Sequence, residues 1–553
     1  MSIINLGNIR FNWCGEYNDL TTYKKDDVVG YKGNSFVSKS ENIGIKPSVG
    51  DNWDLMAAGS NQLENKGDII THNGTLPFAL SIGENAQTLQ VVNGLPAWRN
   101  PATPPSRFVW KLQKVNGFGS TNTRVYLMAD GTIKAVGSGD NYSNGDPHGG
   151  HRHLPSRVAV EDSKVKFIDV FSSGRSHYAL TANGEVWSWG ENNYGQLGHG
   201  DKLDLAIIKR IDFFVENNIK IKKVYPSRPN SNSARCVYFL TDDGKVYGCG
   251  ANTDGNLGNG TTTDQSTPVR CGSISNIKYL AVSGRPFICY AVQENGDLWV
   301  WGWNGQGQLG LGDTTNRATP ILHPSVKNVS KAACACDFTT DQKFCAGYGM
   351  VLCQDGTLWC TGYNAHGQLG LGDTVNRNSF AQIEINSIVT DIYIGGGCYG
   401  ISGAITNEKK LYLWGYNEHG EMGTGDTKSQ LTPQLPVAEF QGRVKTIVLA
   451  GGVSVQSCIV EADNQLWAAG YSGRFNLGIN SKNDVISTFT KVLGISGNIV
   501  EWGAFGSHII EYGLGVLYDD GSVDACGFNT TYGETGTQSA TLHNVGVLTN
   551  VIF

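Results

Sequence analysis

From about residue 108 the chain alternates short apolar segments with breaks rich in Gly, Asn and Asp, and the alternation has a period. One copy reads KVKFIDVFSSG, then HYALTANG, EVWSWG, a glycine-rich loop and the apolar run AIIKRI. Each segment is about four to eight residues long, apolar or alternating, and bounded by turn formers, which is the pattern of β-strands. Asn183-Gly184, Asp243-Gly244, Asn295-Gly296, Asp355-Gly356 and Asp520-Gly521 each stand between two such segments. These dipeptides supply the positive φ of tight hairpin turns. Four antiparallel strands per copy follow.

The copies are EVWSWGENNYGQLGHGD (185–201), KVYGCGANTDGNLGNG (245–260), DLWVWGWNGQGQLGLGD (297–313), TLWCTGYNAHGQLGLGD (357–373) and KLYLWGYNEHGEMGTGD (410–426). Weaker ones begin at 132, 465 and 522. The glycine closing the third strand falls at Gly137, Gly190, Gly250, Gly302, Gly362, Gly415, Gly470 and Gly527, with spacings of 53, 60, 52, 60, 53, 55 and 57 residues. A four-stranded sheet has two faces to cover, and radial repetition covers both with neighbours. The expected fold class is all-β: a β-propeller of eight blades over 108–553, preceded by small β modules. Seven blades, with one copy displaced or split, is the alternative, because the first and last copies are degraded.

The order Gly174 to His177, Asn183-Gly184, Trp189-Gly190 and Asn192 to Gly198 resembles the regulator-of-chromosome-condensation (RCC) repeat family. The resemblance implies the propeller but not one function, since such propellers serve as exchange factors, a light sensor, enzyme inhibitors and interaction platforms. An exchange factor of this kind is expected to bring a basic tail, and none is visible.

Residues 1–59 read differently. Strand-like DVVGY and SFVSK flank Lys32-Gly33-Asn34, and Tyr23, Asp27, Val29, Tyr31, Gly33, Phe36, Gly44, Pro47 and Trp53 are spaced as in small chitin-type carbohydrate-binding modules. The context NLGNIRFNW (5–13) is similar to a related module opening many bacteriophage virion proteins. In 60–107, Gly83, Asn85, Gln87, Leu89, Pro96 and Trp98 resemble a short β element of phage tail and fibre proteins, and PATPPS (101–106) reads as a stiff linker. Trp13, Tyr31 and Trp53 are the sugar-stacking candidates, against the reading that so small a domain needs its aromatics as core.

Charge removes one class of partner. The net charge is -6, and residues 1–107 carry 9 basic and 10 acidic side chains, so neither part offers the cationic face that nucleic acid requires. Glycine at 72 of 553 residues marks a turn-rich chain, while 40% hydrophobic content suffices for a core. No window suggests membrane insertion or an export signal. The thirteen cysteines lack CxxC spacing and read as small buried hydrophobes of a reducing compartment.

Catalytic motifs are absent. Gly305 to Gly310 satisfies GxGxxG, but no helix pattern follows and similar loops recur, so it reads as a structural turn and no cofactor is expected. Asp201, Asp313, Asp373 and Asp426 fall just past the glycine loops, where they would cap turns. His148, His151 and His153 crowd one loop of the first copy and are the sole metal candidates, against a surface-loop reading. The glycine loops share glycines but differ between them, which makes Tyr194, Asp254, His366, His419, Arg474 and Phe475 candidate recognition positions projecting from a rigid scaffold. The resemblance of 5–106 leads to a non-enzymatic bacteriophage virion protein: a tail, neck or head appendage attached through its N-terminal region to other virion proteins. It would be assembled in the host cytoplasm, would display the propeller to a host receptor, a glycan or a protein, and could form a homo-oligomer. The alternatives are a cellular interaction platform and a carbohydrate-active protein.

Overall fold

The structure is a computed structural model. From residue 123 to 551 it describes the chain apart from 228–234, 285–286, 339–344, 396–398, 452–455, 474–476, 482, 484, 507–510 and 528–544; before 123 it describes the strands and short segments named here. The chain divides into two compact units, 1–106 and 107–553.

The first unit holds a four-stranded sheet of Asn12–Glu16, Asp27–Tyr31, Asn34–Ser38 and Trp53–Ala57, in that order. Tyr31 pairs with Asn34 across a two-residue turn, which is the expected hairpin. Tyr23 is buried, and its hydroxyl accepts the Asn18 N–H at 2.7 Å. Ile69–His72 pairs with Pro77–Leu80, and Thr88–Val92 with Leu95–Arg99. The PATPPS linker lies outside the described residues.

The second unit is a ring of eight blades, so the eight-blade expectation holds over the seven-blade alternative. Each blade is one four-stranded antiparallel sheet whose strands lie in sequence order. Blade 1 comprises Leu112–Asn116, Thr123–Met128, Ile133–Gly137 and Arg152–Arg157; blade 8 comprises Ile499–Gly506, Glu511–Tyr518, Val523–Gly527 and Val545–Asn550. Every predicted closing glycine is the last residue of a third strand. All eight have φ between 97° and 120°, which a side chain resists. Among the described residues helix is confined to Asp212–Glu216 and a 3₁₀ turn at Asp140–Tyr142.

Eight apolar clusters hold the ring, one at each blade junction. Between blades 1 and 2, Val125 and Leu127 meet Phe167 and Trp189; between blades 8 and 1, Leu517 and Val523 meet Tyr126 and Met128. Among the described residues the four strands of each blade follow one another in sequence, and blade 8 packs on blade 1 face to face. Nine of the ten described cysteines are buried in these junctions and strands, and burial pushes thiols such as Cys271 up. His177 is also buried, stacked on Trp189 with ring centroids 5.1 Å apart. Desolvation of its charged form lowers its pKa to about 3.

The junctions alternate in chemistry. Before the closing glycine stand Trp189, Trp301 and Trp414 in blades 2, 4 and 6, but Cys249, Thr361 and Ala469 in blades 3, 5 and 7. Each indole donates to a carbonyl in the preceding blade's glycine loop: Trp189 to Ser143 at 3.2 Å, Trp301 to Asn256 at 2.6 Å, Trp414 to Gln368 at 3.0 Å. In blades 5 and 7 a phenylalanine of the fourth strand fills the space instead. Phe380 lies against Gly310 and Phe489 against Gly423, so closely that a Cβ on either glycine would collide with the ring. Volume is conserved across two strands rather than at one position.

Candidate partner-binding face

Antiparallel order sorts the connections by end. The first-to-second hairpins and the third-to-fourth glycine loops share one face of the ring; the tight second-to-third turns and the blade-to-blade connections share the other.

In blades 2 to 6 one asparagine braces the glycine loop. In blade 4, Asn304 Oδ1 accepts the Leu309 N–H at 2.9 Å and its Nδ2 donates to the Asp313 carbonyl at 3.0 Å. Asn192, Asn252, Asn364 and Asn417 make the equivalent pair of bonds in their own loops. Asp201, Asp313, Asp373 and Asp426 each accept the N–H two residues on, at 3.0, 2.9, 2.9 and 3.2 Å, so they brace turns as expected. Arg317 and Arg377 pair with Asp313 and Asp373 and hold those carboxyls below the usual range. Gly307 and Gly310 of the GxGxxG stretch have positive φ within this loop, and the fourth strand of the blade follows, Arg317–Leu322, not a helix.

On this common frame the face has two arcs. In blades 2 and 3, an arginine of the first-to-second hairpin reaches back onto the preceding loop. Arg175 donates to Asn141 Oδ1 at 3.0 Å and to Asp140 Oδ2 at 2.9 Å. The Arg235 guanidinium lies 5.0 Å from the centre of the Tyr194 ring. In blades 4 to 7 the residue after the closing glycine is aromatic in every blade: Trp303, Tyr363, Tyr416 and Tyr471. The same position holds Ser138, Glu191 and Ala251 in blades 1 to 3. His366 packs on Tyr399 and Tyr416 at 5.2 and 5.3 Å, and His419 on Tyr416 and Tyr471 at 6.4 and 5.8 Å. Tyr416 is buried and its hydroxyl donates to Glu418 Oε2 at 2.8 Å; burial and that carboxylate push its phenol pKa up. Burial lowers the His366 pKa against the opposing pull of Glu418. Trp303 lies over Gly305, where a Cβ would approach the indole to 2.5 Å.

The predicted recognition positions are therefore less free than expected. Tyr194, Asp254, His366 and His419 are half-buried; Tyr194 lies under Arg235 and His366 against Tyr399, both from the hairpin of the next blade. Arg474 and Phe475 lie outside the described residues. The consecutive aromatics went unread, although their signal was in the sequence: WGW, TGY, WGY and AGY at one register. His148, His151 and His153 are exposed, and His151 Nδ1 accepts the Gly139 N–H at 3.1 Å. Among the described residues no three His, Cys, Asp or Glu side chains converge as metal ligands. Trp13, Tyr31 and Trp53 sit on three different strands of the N-terminal sheet, Trp13 paired with Val28 and Trp53 with Ser38.

The model of the regulator of chromosome condensation (RCC1) repeat matches residues 183–225, 243–285, 295–340 and 409–455, and a second model of the repeat matches 167–196. The chain is 28% identical over 389 residues to the ultraviolet-B receptor UVR8 of Arabidopsis thaliana, covering 68% of this chain and 82% of the receptor. It is 28% identical over 357 residues to the mitochondrial RCC1 domain-containing protein RUG3 of the same plant, covering 61% and 72%. The crystal structure of Prp20p from Saccharomyces cerevisiae superposes with a TM-score of 0.51 at 20% identity, covering 69% of this chain and 91% of Prp20p. That likeness is one of fold. The second unit is an eight-bladed β-propeller that carries RCC1 repeats.

Proposed function

We propose that this propeller is a non-enzymatic protein-interaction platform that engages partners through its loop face. The observation that carries the reading is the run of Trp303, Tyr363, Tyr416 and Tyr471 on four successive loops. The blades of the opposite arc fold with Ser, Glu or Ala there, so the fold does not demand these aromatics, and aromatic residues are enriched at protein interfaces. Prp20p, of similar fold, is described as binding Gsp1p and histones, and is also seen bound to Kap60. The reading favours the platform over the virion appendage as the general description. The test compares the two faces: surface substitutions at Trp303 and Glu418 against substitutions at the turn residues Asn183 and Asp355, with partner capture by the full chain measured quantitatively. Loss confined to the loop-face variants supports the reading; equal capture by both sets overturns it.

A finer reading places the platform on a virus particle. It is favoured by NLGNIRFNW and by the Gly83 to Trp98 pattern in a unit that is compact by itself. Detection of the chain in purified, nuclease-treated particles would support it, and its presence only in the soluble fraction of producing cells would exclude it.

A further inference from the structure

We infer that a pocket between blades 2 and 3, on the face of the tight turns, binds a neutral carbohydrate of one or two sugar rings. It lies opposite the glycine loops, so it neither needs nor replaces the partner site proposed there. One wall is residues 217–220, the segment that follows the helix Asp212–Glu216; the other is the second-to-third turn of blade 3, residues 241–245. Tyr247 of the third strand completes the lining. The cavity measures about 540 Å³, within the roughly 300–1,000 Å³ of small-molecule sites.

The walls are fixed by the backbone. The Ile219 N–H donates to the Phe214 carbonyl at 2.8 Å, and the Asp242 N–H donates to the Lys220 carbonyl at 3.0 Å, which ties one wall to the other. Within the turn, Thr241 Oγ1 accepts the Lys245 N–H at 2.8 Å. Phe213 and Phe214 of the helix each hold the Tyr247 ring at 6.0 Å between centroids, and the ring stays half-buried. Among the described residues this is the one blade junction that carries an α-helix.

The lining selects the class of ligand. Its charged side chains are Lys220 and Lys245 against Asp242 and Asp243, which sum to zero. Lys245 is already held by Asp243 at 2.6 Å. Lys220, Asp242 and Asn218 are exposed and make no side-chain hydrogen bond or ion pair among the described residues, and Asn217 uses only its Nδ2, on the Phe213 carbonyl at 2.8 Å. An ammonium, a carboxylate and amide groups are therefore left to bind a ligand from fixed walls. An apolar ligand would cover these groups without replacing the water bonded to them. An ion would meet a charge of its own sign beside each opposite one. A sugar hydroxyl both donates and accepts, so it suits the ammonium and the carboxylate alike, while the C–H face of the ring can lie on an aromatic side chain such as Tyr247.

The test presents the intact chain to an array of immobilised neutral, sialylated and sulfated oligosaccharides, followed by calorimetric titration with the neutral saccharide that binds most strongly. The expected result is saturable binding that changes little with salt and is weakened roughly tenfold by Asp242→Ala, as for the loss of a hydrogen bond to a charged group, and also weakened by Lys220→Met. Both variants replace exposed side chains, so their melting temperatures should match that of the parent chain. Trp13→Ala and Trp53→Ala, in the N-terminal unit, should bind as the parent does. Failure of every neutral saccharide to bind, a preference for the sialylated or sulfated ones, or affinity undiminished in both pocket variants would overturn the inference. So would loss of binding in Trp13→Ala or Trp53→Ala alone, since the sugar would then sit on the N-terminal unit.

Discussion

The two arcs of the loop face are built on the same frame and differ in what stands on it. The loops of blades 2 and 5 are braced alike, by Asn192 and Asn364, down to the bond from each Oδ1 to the leucine five residues on. Yet one presents Tyr194 under Arg235 and the other His366 between Tyr399 and Tyr416. The contrast separates the residues that make the ring from those that give one part of it a surface of its own. Frame positions should cost stability equally in both arcs, and face positions should cost binding in one.

The largest expected effect is a frame effect. Trp189→Ala in one arc and Trp414→Ala in the other each empty a fully buried indole site and remove a bond to the neighbouring loop, at about 3–5 kcal/mol. Chemical denaturation measures it, and a loss in one arc only would break the idea of a shared frame. Removing the loop brace is next. Asn192→Ala and Asn364→Ala each strand several buried partners and should cost about 2–3 kcal/mol, while only Asn364→Ala should also weaken partner capture.

Acid sharpens the comparison from another side. Blade 2 holds two histidines whose pKa is lowered by burial, His177 to about 3 and His199 to about 4. In the unfolded chain both titrate near 6.5. The unfolded state therefore binds more protons as pH falls below that value, and stability drains away towards pH 3–4 at up to about 1.4 kcal/mol per pH unit for each histidine. Hydrogen exchange at pH 5 should show blade 2 loosening first, and His177→Gln should flatten the dependence. Earlier opening of blades 5 and 6 would contradict it. The smallest effect belongs to Arg235→Met, about 0.5–1 kcal/mol from the lost contact with Tyr194.

What could be read in the sequence follows from what is local. The eight closing glycines announce themselves because a third strand must turn there with positive φ, and the Asp-Gly and Asn-Gly turns because they lie within one hairpin. The filling of a junction is not local. Phe380 substitutes for a tryptophan that Thr361 replaces, a compensation between positions nineteen residues apart and on different strands, visible once the sheet sets them side by side. The same holds for the face: His366 and His419 look like projecting loop residues until Tyr399 and Tyr471 of following segments close over them.

The alternation of tryptophan with small residues before the closing glycine carries a consequence of parity. A period of two blades returns to its starting phase only in a ring with an even number of members. Removing one blade from such a ring would set two tryptophan blades, or two small-residue blades, against each other, with one junction overfilled or hollow. Blades on this pattern are gained and lost most cheaply in pairs, and an eightfold ring is a size at which the pattern can meet itself. The place where it lapses is the join, where blades 8 and 1 carry Cys526 and Val136 at this position and neither brings a tryptophan.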